Sequence, residues 1–188
     1  MSGSGQFSGF RRLGNIIVFF VISALLLAAS RQIGWLDPQS GRFLAIDGDS
    51  LRKDGEEFRL MAIDAPELNQ RCSKASGKLY PCGREAKDAL RRLTLGRALD
   101  CRVTDRDRYG RQVAECFDGT LSINAEMVRL GWAVAYRRHG VFFVPEENAA
   151  RAARRGIWQG HFDQPEDWRA GQRRSIERGS MELALPPD

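Results

Sequence analysis

The sequence predicts an α+β domain, a small β-barrel with helices packed against it, set behind an apolar N-terminal helix. Two observations carry that class. Short hydrophobic strands arrive as hairpins and are interrupted by helical segments, an order that suits a small barrel with helices packed against it. The 188 residues, 43% hydrophobic and 28% charged, exclude both a disordered chain and a multi-span membrane protein and suit one domain of ordinary size.

Charge alone decides little. The formal net charge is +5, but the two arginines at 11 and 12 supply part of it, and residues 31–188 keep a surplus of only +3. Residues 1–12 read as a flexible, basic N-terminus, Gly- and Ser-rich over its first nine positions. From Leu13 to Ser30 no charged residue occurs, and Arg11-Arg12 precede a strongly apolar run from Ile16 to Ile22. Basic then apolar is the order of a signal peptide or of a single N-terminal anchor. Eighteen residues at about 1.5 Å each reach roughly 27 Å, near the hydrocarbon thickness of a bilayer. Ala28-Ala29-Ser30 is small enough for cleavage, so secreted and inner-membrane-anchored forms both fit. Either reading places residues 31–188 outside the cytoplasm, in an exported or periplasmic setting.

The four cysteines, Cys72, Cys82, Cys101 and Cys116, agree with that compartment. An even count in an exported domain points to two disulfides, with three possible connectivities. Cys101 and Cys116 flank a predicted hairpin and could face each other across it. Cys72 and Cys82 would then close a short loop. A four-cysteine zinc site is the competing idea, but the sequence has no C-x-x-C pair.

After a linker at 31–42, residues 43–47 and 57–63 read as strands, with Asp54-Gly55 marking a tight hairpin between them. A polar loop carrying glycine and cysteine follows from Leu68 to Gly83. Residues 84–95 read as a helix with Ala86, Ala89, Leu90 and Leu93 on one face and Gly96 as its stop. Leu99, Cys101 and Val103 alternate along a strand, Asp105–Gly110 turns, and 111–117 returns. A helix over Ser122–Leu130 presents Ile123, Met127 and Leu130, and Gly131 ends it. Trp132–Tyr136 is a short strand, Pro145 opens a third helix to Arg155, and Ile157-Trp158 cap the core. The segment 161–188 reads as a polar C-terminal tail, loose beyond about 170.

The chemistry lies in two blocks. Asp47-Gly48-Asp49-Ser50 is followed by Arg59 and by Asp64-Ala65-Pro66-Glu67. Asp49 and Asp64 are hard oxygen donors on adjacent segments that a hairpin can bring together. Two carboxylates plus a backbone carbonyl leave room for water and a phosphate oxygen around Ca²⁺ or Mg²⁺. Pro66 stiffens the turn from which Glu67 projects. The second block, Asp107-Arg108-Tyr109-Gly110-Arg111, sets a planar guanidinium fork beside a hairpin turn, suited to a phosphate. Taken singly, each piece has a plain reading: a turn, a solvated strand residue, an exposed charged loop.

Taken together, these motifs closely resemble the thermonuclease (staphylococcal-type nuclease) family. Gly83 and Ala86, the Ile123-Asn124, Met127-Val128 and Leu130-Gly131 pairs, and Ile157-Trp158 extend the likeness over about residues 43–158, inside a domain expected at 43–160. The resemblance implies a five-stranded OB-type barrel with three helices, acting as a monomeric endonuclease on phosphodiester bonds of DNA and RNA with Ca²⁺. By the same resemblance, Asp49, Asp64 and the carbonyl of Ala65 are calcium ligands, and Asp47 is a carboxylate behind them. Glu67 takes the place of the general base, and Arg59 and Arg111 those of the phosphate-binding arginines. Tyr109 and Tyr136 match positions lining the nucleotide pocket, with Arg108 beside them. Ser50 and Ala65 stand where the type member has threonines. The rival reading is a non-catalytic barrel of the cell envelope that binds nucleic acid or holds calcium for stability. DNA-versus-RNA preference and product polarity are not legible in the sequence.

Overall fold

The computed structural model describes residues 16–26 and 38–183. The chain divides between Asp37 and Pro38 into two compact units. In the first, residues 16–26 form helix α1, whose large apolar side chains are exposed. Among the described residues no helix is long and apolar enough to cross a membrane. The rest of the 13–30 segment lies outside the described residues, as do residues 1–12.

The second unit opens with β1 (Gln39–Gly41), β2 (Leu44–Ala45), β3 (Ser50–Lys53), β4 (Glu56–Leu60) and β5 (Ile63–Asp64). A small hairpin, β6 (Cys72–Lys74) and β7 (Leu79–Tyr80), precedes α2 (Cys82–Thr94). Next come β8 (Leu99–Arg106), β9 (Gln112–Asp118), β10 (Leu121–Ser122) and α3 (Ile123–Arg129). The unit closes with β11 (Val134–Ala135), α4 (Val144–Ala152), β12 (Gly160–His161) and α5 (Pro165–Leu183).

Seven strands build the main sheet in the order β1-β8-β9-β4-β3-β2, with β10 attached to β9. Every pairing in it is antiparallel except β4 with β9, which runs parallel and joins the first hairpin to the second. That junction curls the sheet into a half-barrel of OB type. The count differs from the expected five strands and three helices. The short strands β1, β2 and β10 extend the main sheet, and two further small sheets hold β5 with β11 and β12 with β6 and β7.

The strand expected at 43–47 is cut short after Ala45. Asp47 Oδ1 accepts the backbone N–H of Asp49 at 2.9 Å, and this local turn competes with the ladder. The strand that feeds the Asp54-Gly55 turn is therefore β3. The 31–42 linker contains β1, which pairs with β8. The tail expected to be loose beyond 170 is instead helical in α5 as far as Leu183. Pro165 opens α5 with Glu166 and Asp167 in its first turn, a good N-terminus. The helix lacks an apolar stripe, so periodicity gave no warning of it.

The core gathers Leu51, Phe58 and Leu60 from the first hairpin, Leu99, Cys101, Ala114 and Cys116 from the second, and Ala86, Leu90, Ile123 and Met127 from the helices. Phe43 meets Phe58 edge-on with ring centroids 5.1 Å apart. Both expected cysteine pairs are at bonding distance: Cys101 and Cys116 sit directly opposite on β8 and β9, and Cys72 and Cys82 tie the small hairpin to α2.

Candidate active site

Four backbone segments converge on one carboxylate nest. Asp49 stands at the end of the turn before β3, and its carbonyl accepts the N–H of Leu60 on the neighbouring strand at 2.8 Å. Arg59 projects from β4, Asp64 ends β5, and Glu67 lies three residues further along. β5 is held by β11, in which Val134 opposes Asp64. β11 in turn is fixed by buried Glu147 of α4, whose Oε1 accepts the N–H of Ala135 at 3.0 Å.

Close packing leaves the turn no slack. A Cβ on Gly48 would lie 2.6 Å from that of Ala65 and 2.9 Å from that of Ala86, so only glycine lets the turn rest against α2. A Cβ on Gly83 would fall 1.7 Å from the carbonyl oxygen of Glu67, so the first turn of α2 presses on the backbone that carries Glu67.

The nest is tightly cross-bonded. Arg59 donates from Nη1 to Asp49 Oδ1 and from Nη2 to Asp64 Oδ1, each at 2.8 Å, so one guanidinium joins both acids. Asp49 also accepts from the Ser50 hydroxyl at 3.2 Å and, through Oδ2, from the Ala65 N–H at 2.8 Å. Burial pushes the Asp49 carboxyl up to about 7; Arg59 pulls it back down, while Asp47 and Asp64 add to the rise. Arg59 is held above its ordinary range: burial pulls it down, and the three aspartates outweigh that pull.

The second block forms a separate cluster. At the β8–β9 tip, Asp107 accepts the N–H groups of Tyr109 and Arg111 at 2.9 and 3.0 Å and the Arg111 Nε at 2.7 Å. Burial tends to raise the Asp107 carboxyl, but these bonds from Arg111 and Tyr109 prevail and hold it below its usual value. Tyr109 is 70% exposed, with the guanidinium carbons of Arg108 and Arg111 over its ring at 4.8 and 5.6 Å. Arg108 also donates to the Tyr109 hydroxyl at 2.8 Å. Arg111 touches none of Asp49, Asp64 and Glu67. The parallel register nevertheless sets Phe58 opposite Gln112 and Arg59 opposite Val113. One step back, Arg111 lies on the same sheet face as Arg59, a diagonal that two long side chains can span. Tyr136 lines a different cleft, of about 220 Å³, beside Asp64 and Arg137.

The structure thus gathers Asp47, Asp49, Arg59, Asp64, Ala65 and Glu67 in one place. It sets Arg108, Tyr109 and Arg111 together at the hairpin tip and Tyr136 in a cleft that Asp64 also lines. Two contributors, Gln70 and Arg169, escaped the sequence reading, and a third, Asn124, entered it only as part of the family likeness, with no role. Gln70 is fully buried, accepts the Glu67 N–H at 3.2 Å, and donates its own N–H to the Glu67 carbonyl at 2.7 Å. Asn124 of α3 accepts the N–H of Cys116 and donates to the carbonyls of Met61 and Ala114, locking α3 to the central strands. Arg169 of α5 donates to Asp64 through Nη1 and Nη2 at 3.0 and 2.8 Å and to Glu67 Oε1 at 2.9 Å. An amide in a polar loop and an arginine among many carry no pattern that marks them beforehand.

The donor set fits a hard divalent cation. Asp49 and Asp64 are both buried and close enough to share one guanidinium, and burial first, then the neighbouring carboxylates, raises the Asp49 carboxyl. Among the described residues no group of three or more His, Cys, Asp or Glu is arranged to hold a metal. Two carboxylates with a backbone oxygen make an open site that leaves positions for water and substrate.

A curled barrel carrying paired acids and guanidinium groups at a strand junction defines a nuclease-type hydrolase domain. Residues 57–160 match the model of the staphylococcal nuclease homologue family. The chain is 35% identical to the succinoglycan biosynthesis protein ExoI of Rhizobium meliloti (strain 1021) over 143 residues, 74% of this chain and 73% of that one. It is 30% identical to the probable staphylococcal-like nuclease CAN3 of Oryza sativa subsp. japonica over 149 residues, 78% of this chain but only 37% of the rice protein. An uncharacterized endonuclease of Escherichia coli O157:H7 is 31% identical over 121 residues, 60% of this chain and 72% of that one. The chain belongs to the staphylococcal nuclease family, a family of generally metal-dependent phosphodiester hydrolases.

Proposed function

We propose that this chain is a Ca²⁺-dependent endonuclease that hydrolyses phosphodiester bonds of DNA or RNA outside the cytoplasm. The observation that carries the reading is the single guanidinium of Arg59 bridging Asp49 and Asp64, with Glu67 linked to the same nest through Arg169. Asp49, Asp64 and the Ala65 carbonyl would hold the ion, with Asp47 fixing the turn that presents Asp49. Bound there, a divalent cation supplies Lewis-acid neutralisation of the phosphate.

The chain's own groups do the rest. Glu67 takes the proton of a water that attacks phosphorus. As the new P–O bond forms and one ester P–O bond breaks, negative charge grows on the non-bridging oxygens. Arg59 and Arg111, on one sheet face, stabilise that charge most strongly in the transition state. Exposed Tyr109, backed by Arg108, offers a ring on which a base can stack, and Tyr136 lines a second nucleotide position.

Two cysteine pairs and the uncharged segment 13–30 support an exported protein, either cleaved or retained at the inner membrane. The test is digestion of single-stranded DNA and RNA by the full chain with Ca²⁺, repeated with a chelator. Chelator-sensitive cleavage is expected. Oligonucleotide binding without cleavage under either condition would instead identify a binding module.

A further inference from the structure

We propose that Arg169 is an internal competitor of the catalytic cation, and that α5 closes the carboxylate site until a divalent ion displaces it. The inference rests on the metal-site reading above and deepens it. Arg169 grips both oxygens of Asp64 with Nη1 and Nη2 and caps Glu67 Oε1 with Nη1. Together with the Arg59 bond to Oδ1, this bidentate fork takes up most of the lone pairs through which Asp64 would bind an ion. One side chain thus occupies a metal-ligand position and one oxygen of the base.

Charge supplies the driving force for exchange. Among the described residues, Asp49, Asp64 and Glu67 pair with the guanidinium groups of Arg59 and Arg169, and Asp47 adds a fourth carboxylate beside Asp49. Replacing the single charge of Arg169 by the double charge of Ca²⁺ brings the nest closer to balance. Asp64 is buried, and leaving a buried carboxylate without a counter-charge is costly, so departure of Arg169 is favoured by arrival of the second cation.

Placement of α5 is not accidental packing by one side chain. Buried Gln70, which brackets the Glu67 backbone, donates to the Asp163 carbonyl at 2.8 Å, just before the helix. Pro165 is buried, and Glu166 pairs with Arg138 at the rim of the Tyr136 cleft. The buried anchor Pro165 and the Arg169 fork both lie in the first turns of α5, and the side chains from Gln172 to Glu177 are exposed.

The experiment titrates Ca²⁺ alone into the full chain by calorimetry, comparing wild type with Arg169→Gln, Arg169→Lys and Asp64→Asn, and follows amide exchange over residues 165–177. Loss of one charge-assisted fork is worth roughly tenfold in affinity or more. Arg169→Gln should therefore bind Ca²⁺ at least about tenfold tighter than wild type, and Arg169→Lys should fall between them. In wild type, Ca²⁺ should speed exchange over 165–177, a readout that needs no variant. If Asp64→Asn abolishes binding while Arg169→Gln binds as wild type or more weakly, the metal site stands and this inference falls. Slower exchange of α5 with Ca²⁺ would overturn it as well. If neither wild type nor Arg169→Gln binds Ca²⁺ at all, the metal reading itself fails, and this inference with it.

Discussion

The carboxylate nest and the β8–β9 tip carry the two halves of one motif set, yet they are built in opposite ways. The nest draws its side chains from four segments, buries Asp49 and Asp64, and bonds each acid to more than one partner. The tip draws on five consecutive residues, leaves Tyr109 exposed, and satisfies itself through Asp107. Positions that must hold fixed charge are determined by the whole fold, whereas a position that only meets substrate can stay on a local turn.

Breaking the nest should therefore damage both stability and activity, while breaking the phosphate-facing side chains of the tip should damage activity far more than stability. The largest effect is expected from Arg59→Ala, which leaves buried Asp49 without its guanidinium and Asp64 with Arg169 alone. Unfolding free energy should fall by about 3–5 kcal/mol in denaturant titration, and cleavage should drop by roughly 10²-fold or more. At the tip's base, Cys101→Ser with Cys116→Ser opens a loop of sequence separation 15, at a cost of about 3 kcal/mol measured by the same titration. Arg111→Ala should slow cleavage by about 10²-fold, near 3 kcal/mol of barrier, and leave the unfolding midpoint almost unmoved. A large stability loss in that variant would erase the distinction between the two regions.

The smallest effect concerns acid. Asp107 is held below its ordinary value in the folded chain, so its contribution is present above the unfolded value of 3.8 and is lost as pH falls below it. Stability measured from pH 5 downward should decline less steeply in Asp107→Asn than in wild type. An unchanged slope would show that the Asp107–Arg111 pairing contributes nothing to the fold.

Local rules explain what was legible. Asp54-Gly55 marked the first hairpin, and the alanine and leucine spacing at 86, 89 and 90 marked the buried face of α2. The facing cysteines could be placed because hairpin register is set by its turn. Where two local preferences competed, as at Asp47, strand ends shifted. The family likeness named the acidic and basic residues that the fold brings into the nest because they lie within short, nearly contiguous motifs of the chain. It could not locate Gln70 or Arg169, which act from a loop and from a helix about a hundred residues downstream of the acids they touch. Such a contact is a property of topology, and α5, with few apolar residues, offered no periodic signal of its seat.

The central claim is that the nest, rather than the tip or the Tyr136 cleft, is where the phosphodiester bond breaks. The most direct test is the single-turnover cleavage rate of a short single-stranded DNA by Glu67→Gln at saturating Ca²⁺, with oligonucleotide affinity measured in parallel. Loss of a positioned base should lower the rate by about 10²–10⁴-fold while affinity stays near that of wild type. Cleavage at the wild-type rate would contradict the account.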